Sequence, residues 1–146
     1  LCGCGNRGCL KTLATDSALI REVSERLGTR VDLVEIRELL KEKHPAVEQS
    51  LHSVSEYLAV AIAAAINLWN PATLFIHGRI FDVRDGLFDE VCERARARAL
   101  APSMANCRIL RARRSKRHGA IAGAIHRLFD EVCEGVLLTS GIASNR

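Results

Sequence analysis

The sequence predicts a helix-rich α/β fold, and three observations lead to that class. Apolar residues recur at helical spacing over three stretches within residues 15–69. Two short stretches, the apolar residues 73–76 and residues 107–112, have the length of strands. These runs alternate with further amphipathic stretches, which gives the order helix, strand, helix, strand, helix. That order is typical of a parallel sheet covered by helices.

The first two helices are predicted from their boundary residues. Thr15 or Asp16 can cap a helix whose last residue lies just before Gly28. Asp32 can cap a second helix over residues 33–43, which Pro45 then stops.

The third helix, residues 46–69, is the longest and ends at Asn70 and Pro71. Its apolar positions recur at intervals of three and four residues, as Val47, Leu51, Val54, Leu58, Ala61, Ala65 and Leu68. From Leu58 onward the helix is apolar on almost every side. We therefore expect its second half to be buried in the core.

The rest of the chain predicts two strands and two helices. Residues 73–76 are wholly apolar between a proline and a glycine, which favours a strand buried on both faces. A helix is expected over residues 87–100, ended by Pro102, followed by a strand over residues 107–112. A final helix is expected over residues 119–133. Two strands make a thin sheet, so we expect further strands from an upstream segment or from another chain.

Composition indicates an ordinary folded protein. The chain has 146 residues, of which 48% are hydrophobic and 26% charged, and this suits one domain rather than a disordered segment. The longest apolar run, residues 57–66, is too short to cross a bilayer, so no membrane is expected. Cys92, Cys107 and Cys133 lie among apolar neighbours and are interpreted as small buried residues. A chain of this size that does not depend on disulfides is expected in the cytoplasm.

The first eleven residues carry the strongest chemical signal. Cys2, Cys4 and Cys9 are interleaved with glycines, which allow a short backbone to fold around an ion. Thiolates are strong zinc ligands, so the pattern predicts a metal site, although three free thiols in a frayed terminus would also fit. A structural zinc site needs a fourth ligand, and the first histidine of the chain is His44. That ligand must come from a contact in the fold, from water or from upstream.

A basic stretch covers residues 94–118, with nine lysines or arginines and no acidic residue. Such a stretch could contact nucleic-acid phosphates. No aromatic residue is interleaved to stack on bases, and Arg94, Arg96 and Arg98 do not all share one helix face. A solvated basic surface is the favoured interpretation.

The segment Cys2–Leu10 resembles the zinc signature of the ROK family of sugar kinases and sugar-responsive repressors. The resemblance continues through residues 68–71 and 119–124, near the other end of the chain. It implies an RNase H-like, actin-type fold with a sugar cleft between two lobes, of which this chain would be the C-terminal part. It also implies that zinc is held by the three cysteines and by a histidine upstream. On this basis residues 1–146 form a single lobe.

That lobe divides into segments by its predicted elements. They are a zinc loop at 1–11, a helical segment at 12–70, a βαβα segment at 71–135 and a tail at 136–146.

Two positions depart from the family pattern. Lys11 stands where sugar-binding members carry a glutamate that accepts hydrogen bonds from the sugar, and Lys11 has only donors. It is either a degenerate effector-binding position or merely an exposed residue. His77, Gly78 and Arg79 stand where kinase members have a glycine pair near the nucleotide. His77 itself is interpreted as a polar surface residue.

The resemblance therefore favours the NagC/XylR-type regulators of the family over its kinases. Under this hypothesis the chain is not an enzyme, has no catalytic residues, and forms the effector-sensing and dimerisation portion of a regulator. The implied partners are a sugar or sugar-phosphate effector, a second copy of the chain, and DNA bound only by a winged helix ahead of this segment. The alternative is the C-terminal lobe of an ATP-dependent sugar kinase, inactive alone. A third hypothesis is a degenerate interaction module with neither activity.

Overall fold

A computed structural model describes residues 1–112, 121 and 123–129. Its helices and strands are α1 (Asp16–Leu27), α2 (Leu33–Lys41), α3 (Pro45–Trp69), β1 (Thr73–Ile76), α4 (Leu87–Arg96), α5 (Ala101–Ala105) and β2 (Arg108–Arg111). Two short 3₁₀ helices cover Leu10–Thr12 and Arg79–Asp82. The helix-rich α/β class is therefore confirmed.

The chain divides into two compact units, residues 1–111 and 112–146. In the second unit, residues 121 and 123–129 are helical, which agrees with part of the helix expected over residues 119–133. The rest of that helix, Cys133 and the tail at 136–146 lie outside the described residues.

The first two helices begin where their caps predict. The Thr15 hydroxyl accepts a hydrogen bond from the Ala18 amide at 3.2 Å, and Gly28 takes a left-handed φ of 67° past the end of α1. Asp32 and Glu35 form a capping box, because each side chain accepts a hydrogen bond from the other residue's amide.

The end of α2 was predicted two residues too late. The helix stops at Lys41, and Lys43 takes a left-handed φ of 56°. The His44 amide donates to the Leu39 carbonyl at 2.9 Å, which closes the last turn of α2. Proline disfavours the helical conformation in the residue before it, so the chain must leave α2 before α3 begins at Pro45.

Helix α3 buries one continuous stripe against α1, α2 and α4. The buried members of the stripe are Val47, Ser50, Leu51, Val54, Ser55, Ala59, Ile62, Ala63 and Ile66. Ser50 and Ser55 are satisfied because their hydroxyls donate to the carbonyls of Ala46 and Leu51, one turn earlier.

The expectation that the whole second half of α3 is buried is wrong. Val60 is 53% exposed, Leu68 75% and Trp69 74%. The stripe there runs through Ala59, Ile62, Ala63 and Ile66, one position away from the predicted seam of Leu58, Ala61, Ala65 and Leu68. Because an α-helix has 3.6 residues per turn, its buried face drifts away from positions chosen at a strict seven-residue spacing.

By length and composition alone, α3 could cross a membrane, since an 18-residue window of this helix has a mean hydropathy of 1.4. The core helix of a soluble protein passes the same test. In this protein 39% of that window is buried, and α3 contacts α1, α2 and α4. The hydropathy of α3 is thus weak evidence for a membrane.

Strands β1 and β2 pair in parallel, with Thr73 opposite Arg108 and Ile76 opposite Arg111. The prediction that β1 is buried on both faces is wrong, because Phe75 is 67% exposed while its neighbours in the strand are half-buried. In the described part of the chain the sheet has these two strands, and Leu74 and Ile76 of β1 pack against the core.

The helix predicted over residues 87–100 ends four residues early, and a second short helix that was not predicted follows over Ala101–Ala105. α4 ends at Arg96, and the chain turns before α5, in which Pro102 is the second residue. The Leu100 amide donates to the Asn67 side-chain oxygen at 2.8 Å, which fastens this turn to α3. Proline lacks an amide hydrogen that the first turn of a helix would leave unpaired, so Pro102 starts a helix here instead of ending one.

Helices α3 and α4 are also linked by charge. Arg94 on α4 donates to Glu56 on α3 at 2.8 Å and to Glu90 at 2.6 Å, and Arg98 also pairs with Glu56. Arg84 bridges Glu48 and Glu90 at the start of α4. These partly exposed pairs form a continuous network, which contributes more than isolated surface pairs do.

Cys92 and Cys107 are buried, as the sequence predicts. Burial raises the pKa of the Cys92 thiol to about 11, so this thiol stays protonated at neutral pH and is a poor nucleophile.

Val54 lies in the buried stripe of α3 and Val60 lies outside it, so shortening the two side chains should change the free energy of unfolding by different amounts. Val54→Ala removes two buried methyl groups and should lower the free energy of unfolding by about 2 kcal/mol. Val60→Ala gains the same helix propensity but loses little burial, so the free energy of unfolding should change by less than about 0.5 kcal/mol. Urea unfolding of both variants measures the difference. Equal losses would contradict the stripe.

Candidate metal site

The N-terminal loop folds back on itself through its backbone. The Cys2 amide donates to the Asn6 carbonyl at 2.8 Å, and the Gly5 amide donates to the Cys2 carbonyl at 2.9 Å. Gly5 and Gly8 have φ angles of 89° and 71°, in the left-handed region that residues with a Cβ rarely adopt. Gly5 and Gly8 are therefore required by the turn.

This turn brings the three predicted sulfurs together. The Sγ atoms of Cys2, Cys4 and Cys9 all lie within 4.8 Å of one another, and those of Cys4 and Cys9 are 3.6 Å apart. A disulfide needs about 2.05 Å, so these are separate thiols. Two thiolates at about 2.3 Å from one tetrahedral zinc ion lie about 3.8 Å apart. The observed separation of Cys4 and Cys9 fits that geometry.

The three thiols differ in exposure and in acidity. Cys2 is only 8% exposed, Cys9 is half-buried and Cys4 is exposed. A hydrogen bond from the Asn6 backbone, helped by the thiols of Cys2 and Cys9, lowers the pKa of Cys4. The hydrogen bond with Cys4 raises the pKa of Cys9. The loop thus makes the Cys4 thiol more acidic and the Cys9 thiol less acidic than an ordinary cysteine, and binding of a cation would deprotonate both.

Within the part of the chain that the structure describes, these three cysteines form the one group able to hold a metal. They could supply three of the four ligands that a closed zinc site uses. The resemblance to the family implies that the fourth ligand is a histidine upstream of this group.

A short hydrogen-bonded bridge connects the loop to α1. The Cys9 carbonyl accepts hydrogen bonds from both the amide and the hydroxyl of Thr12, each at 2.7 Å. The Thr15 hydroxyl, which caps α1, also donates to the Lys11 carbonyl at 2.9 Å. Lys11 lies between these anchors in the first 3₁₀ helix with its side chain exposed. Its backbone is therefore fixed to the metal loop and to α1, while its ammonium faces solvent.

A second bridge, which sequence analysis missed, joins the segment after β1 to the same end of α1. Asp16 accepts hydrogen bonds from the Arg79 side chain and from the Ile80 amide, both at 3.1 Å. A carboxylate at the first turn of α1 is also stabilised by the helix dipole. The sequence showed Asp16 only as a possible cap, because a partner more than sixty residues away leaves no local pattern.

The backbone after β1 is not shaped for close contact with a ligand. His77 and Arg79 are both exposed. Gly78 has an extended φ of 172°, and a Cβ there would meet the Ile80 side chain at an ordinary 3.5 Å. The local backbone therefore does not require a glycine at this position.

The described part of the basic stretch is largely neutralised. Arg94 and Arg98 pair with Glu56, Arg96 pairs with Glu93, and Arg111 pairs with Asp82 at 2.6 Å. This pairing agrees with a solvated surface and does not form a phosphate-binding row.

Comparison with known proteins places this geometry in context. The chain is 28% identical to the DNA-binding transcriptional dual regulator NagC of Escherichia coli K12 over 146 residues, covering 94% of this chain and 36% of NagC. It is 31% identical to kanosamine kinase of Amycolatopsis mediterranei over 77 residues, covering 53% of this chain and 25% of the kinase. The chain thus spans only about a third of the length of the first of these relatives.

The fold matches a solved structure of the same group of proteins. The ROK hexokinase of Thermus thermophilus superposes with a TM-score of 0.71 over 81% of this chain and 39% of the hexokinase, at 24% identity. A model of the ROK family matches residues 1–130, which include the cysteine loop, both bridges to α1 and the parallel strands. The chain belongs to the ROK family.

Proposed function

We propose that this chain is the effector-sensing and self-associating part of a sugar-responsive ROK transcriptional regulator. The observation that carries the proposal is the exposed cation of Lys11, held by its backbone between the cysteine loop and α1. Sugar-binding ROK proteins resemble this chain up to that residue and then carry a carboxylate. Both the kinases and the regulators of the family use this fold, so the choice depends on such positions.

The chemistry of Lys11 defines the effector class. A glutamate accepts hydrogen bonds from the hydroxyl groups of a neutral sugar, whereas an ammonium only donates and carries a positive charge. An anionic sugar, such as a sugar phosphate, offers the acceptors and the charge that Lys11 needs. We assign Lys11 to recognition of that anionic group.

The segment after β1 argues against nucleotide chemistry. Kinases of the family keep a glycine pair there, but this chain has His77 and Arg79 on either side of a single glycine. Arg79 is fastened to Asp16 at 3.1 Å, so its side chain and the following backbone belong to a structural bridge. Phosphoryl transfer depends on positioning the phosphates and the acceptor together, and this segment is built for a different contact.

Zinc has a structural role in this proposal. Cys2, Cys4 and Cys9 would hold it, with a histidine from an upstream segment as the fourth ligand. A zinc ion supplies folding free energy to a loop that has few apolar contacts. The same loop carries Lys11, so the metal would order the effector position without entering any reaction.

The regulator would bind DNA through a winged helix ahead of this chain and would act in the cytoplasm.

Self-association would use apolar side chains that are exposed in each unit. In the helix of residues 123–129 these are Ile125, Leu128 and Phe129, and in α3 they are Leu68 and Trp69. Such exposed apolar residues mark interaction surfaces.

Zinc analysis tests the metal assignment. The purified protein should contain about one zinc ion per chain, and Cys9→Ser should lower the zinc content strongly because it removes one of the thiolate ligands. Cys92→Ala, in the buried core, is the control and should keep the wild-type content. Equal zinc in the wild type and in Cys9→Ser would contradict the assignment.

Effector titration tests Lys11. In calorimetry of the full-length protein with hexoses and hexose 6-phosphates, Lys11→Met should weaken binding of the phosphorylated effector about tenfold or more, since a hydrogen bond to a charged group is lost. The control is Arg7→Met, which removes another exposed cation of the same loop and should change the affinity less than about twofold. Equal effects of the two substitutions would refute the assignment.

Light scattering tests self-association. The wild-type protein should be a dimer or larger at micromolar concentration, and Leu128→Glu should shift it toward the monomer because it buries a charge in the interface. Ala124→Glu introduces the same charge at another exposed position of the helix and is the matched comparison. A wild-type monomer throughout the range would rule out the proposed association.

A second candidate function is the C-terminal lobe of an ATP-dependent sugar kinase. The likeness to kanosamine kinase favours it, since 31% identity over half of the chain is as high as the likeness to the regulator. A coupled assay of the full-length protein with ATP and a hexose panel separates the two. We expect no turnover, together with DNA binding that a sugar or sugar phosphate relieves. Turnover in the usual kinase range of ~1–100 s⁻¹ would select the kinase.

A further inference from the structure

We infer that Cys4 and Cys9 are a peroxide-sensitive modification site, at which oxidation forms a disulfide and releases the metal. This inference goes beyond the proposed function, although its effect on zinc rests on the metal assignment. Its basis is the position of three thiols in one loop at different depths and distances.

The Cys4 and Cys9 sulfurs are close enough to be joined. The sulfurs of Cys4 and Cys9 are 3.6 Å apart, and a disulfide requires an approach to about 2.05 Å. The residues between them form a short turn in which a Cβ added to Gly5 or Gly8 would meet no atom within 4 Å. A movement of the sulfurs by about 1.5 Å would bring them to bonding distance.

The exposure of the three thiols determines which of them is oxidised first. Cys4 is exposed to solvent and is the thiol that a dissolved oxidant reaches first, whereas Cys9 is half-buried beside it. Cys2 is 8% exposed, and its amide and carbonyl are both bonded within the turn of residues 2–6. Cys2 is thus protected, and it stays reduced.

The chemistry balances with hydrogen peroxide as the oxidant. The Cys4 sulfur attacks one peroxide oxygen, the O–O bond breaks, and a sulfenic acid and one water form. The Cys9 sulfur then attacks the Cys4 sulfur, the S–O bond breaks, and the disulfide and a second water form. In the zinc-bound loop both sulfurs are thiolates, so the two protons come from solvent: two thiolates, one peroxide and two protons give one disulfide and two waters, and the sulfurs lose two electrons. The zinc ion, left with Cys2 as its one thiolate from this loop, dissociates as Zn²⁺.

Formation of the disulfide would also disturb the backbone next to Lys11, the proposed effector position. The Cys9 carbonyl anchors Thr12 through two hydrogen bonds of 2.7 Å, and Lys11 lies between them in the chain. Moving Cys9 toward Cys4 displaces that anchor. A thiol reductant restores the free thiols by exchange, so the modification is reversible in a reducing compartment.

The test exposes zinc-loaded full-length protein to hydrogen peroxide and follows two readouts, free zinc with a chromogenic chelator and cysteine linkage by peptide mass mapping. We expect a peptide linked through Cys4 and Cys9, zinc release with the same time course, and recovery of both after reduction and addition of zinc. Cys9→Ser should lose the linked peptide completely. Cys107→Ser, which alters a buried thiol elsewhere, should form it as the wild type does.

Two results would overturn the inference. One is a loop that stays reduced, or that accumulates sulfinic acid on Cys4, under conditions that oxidise a free thiol. The other is linkage through Cys2. The metal assignment is judged separately, by the zinc content before peroxide is added, and protein without zinc is mapped in the same way. Failure of the inference is therefore distinguishable from failure of the metal site.

Discussion

Burial of one stripe of α3 is the interaction on which the rest of this structure depends. α1, α2 and α4 all pack against that helix, and α5 is fastened to its end through Asn67. Val54 and Ile66 are fully buried in the stripe, which stabilises the arrangement by the apolar surface removed from water. The ion pairs between α3 and α4, at the edge of the buried stripe, help to fix the orientation of α4 on α3. Without this stripe neither end of α1 would have a fixed position.

The candidate site is built at one of those ends. The first residues of α1 hold the cysteine loop through Thr15 and the segment after β1 through Asp16. Two regions more than sixty residues apart therefore meet at a single helix terminus. A metal in the loop would complete this junction, since the loop itself buries few side chains apart from Cys2. The proposed effector position, Lys11, lies between the metal loop and the helix, where ordering by the metal has the largest effect on it.

Much of this could be predicted from local sequence. Caps such as Asp32 and the left-handed Gly28 satisfy their hydrogen bonds within a few residues, so their pattern is visible in the chain. The cysteine cluster was also predicted, because the cysteines and the glycines that allow the turn lie within residues 2–9. The exposure of Phe75 and Leu68 was not, since an apolar residue looks the same whether or not another element covers it. Pro102 was misread because proline both ends and begins helices. The Asp16 bridge was missed because it depends on tertiary contacts alone.

The proposed role of the N-terminal loop depends on Cys2, Cys4 and Cys9 binding one metal ion together. X-ray absorption at the zinc edge of the purified full-length protein measures the ligands of that ion. We expect a shell of three sulfurs at about 2.3 Å and one lighter ligand at about 2.0–2.1 Å. A spectrum with only nitrogen and oxygen neighbours, or with no bound zinc at all, would contradict it.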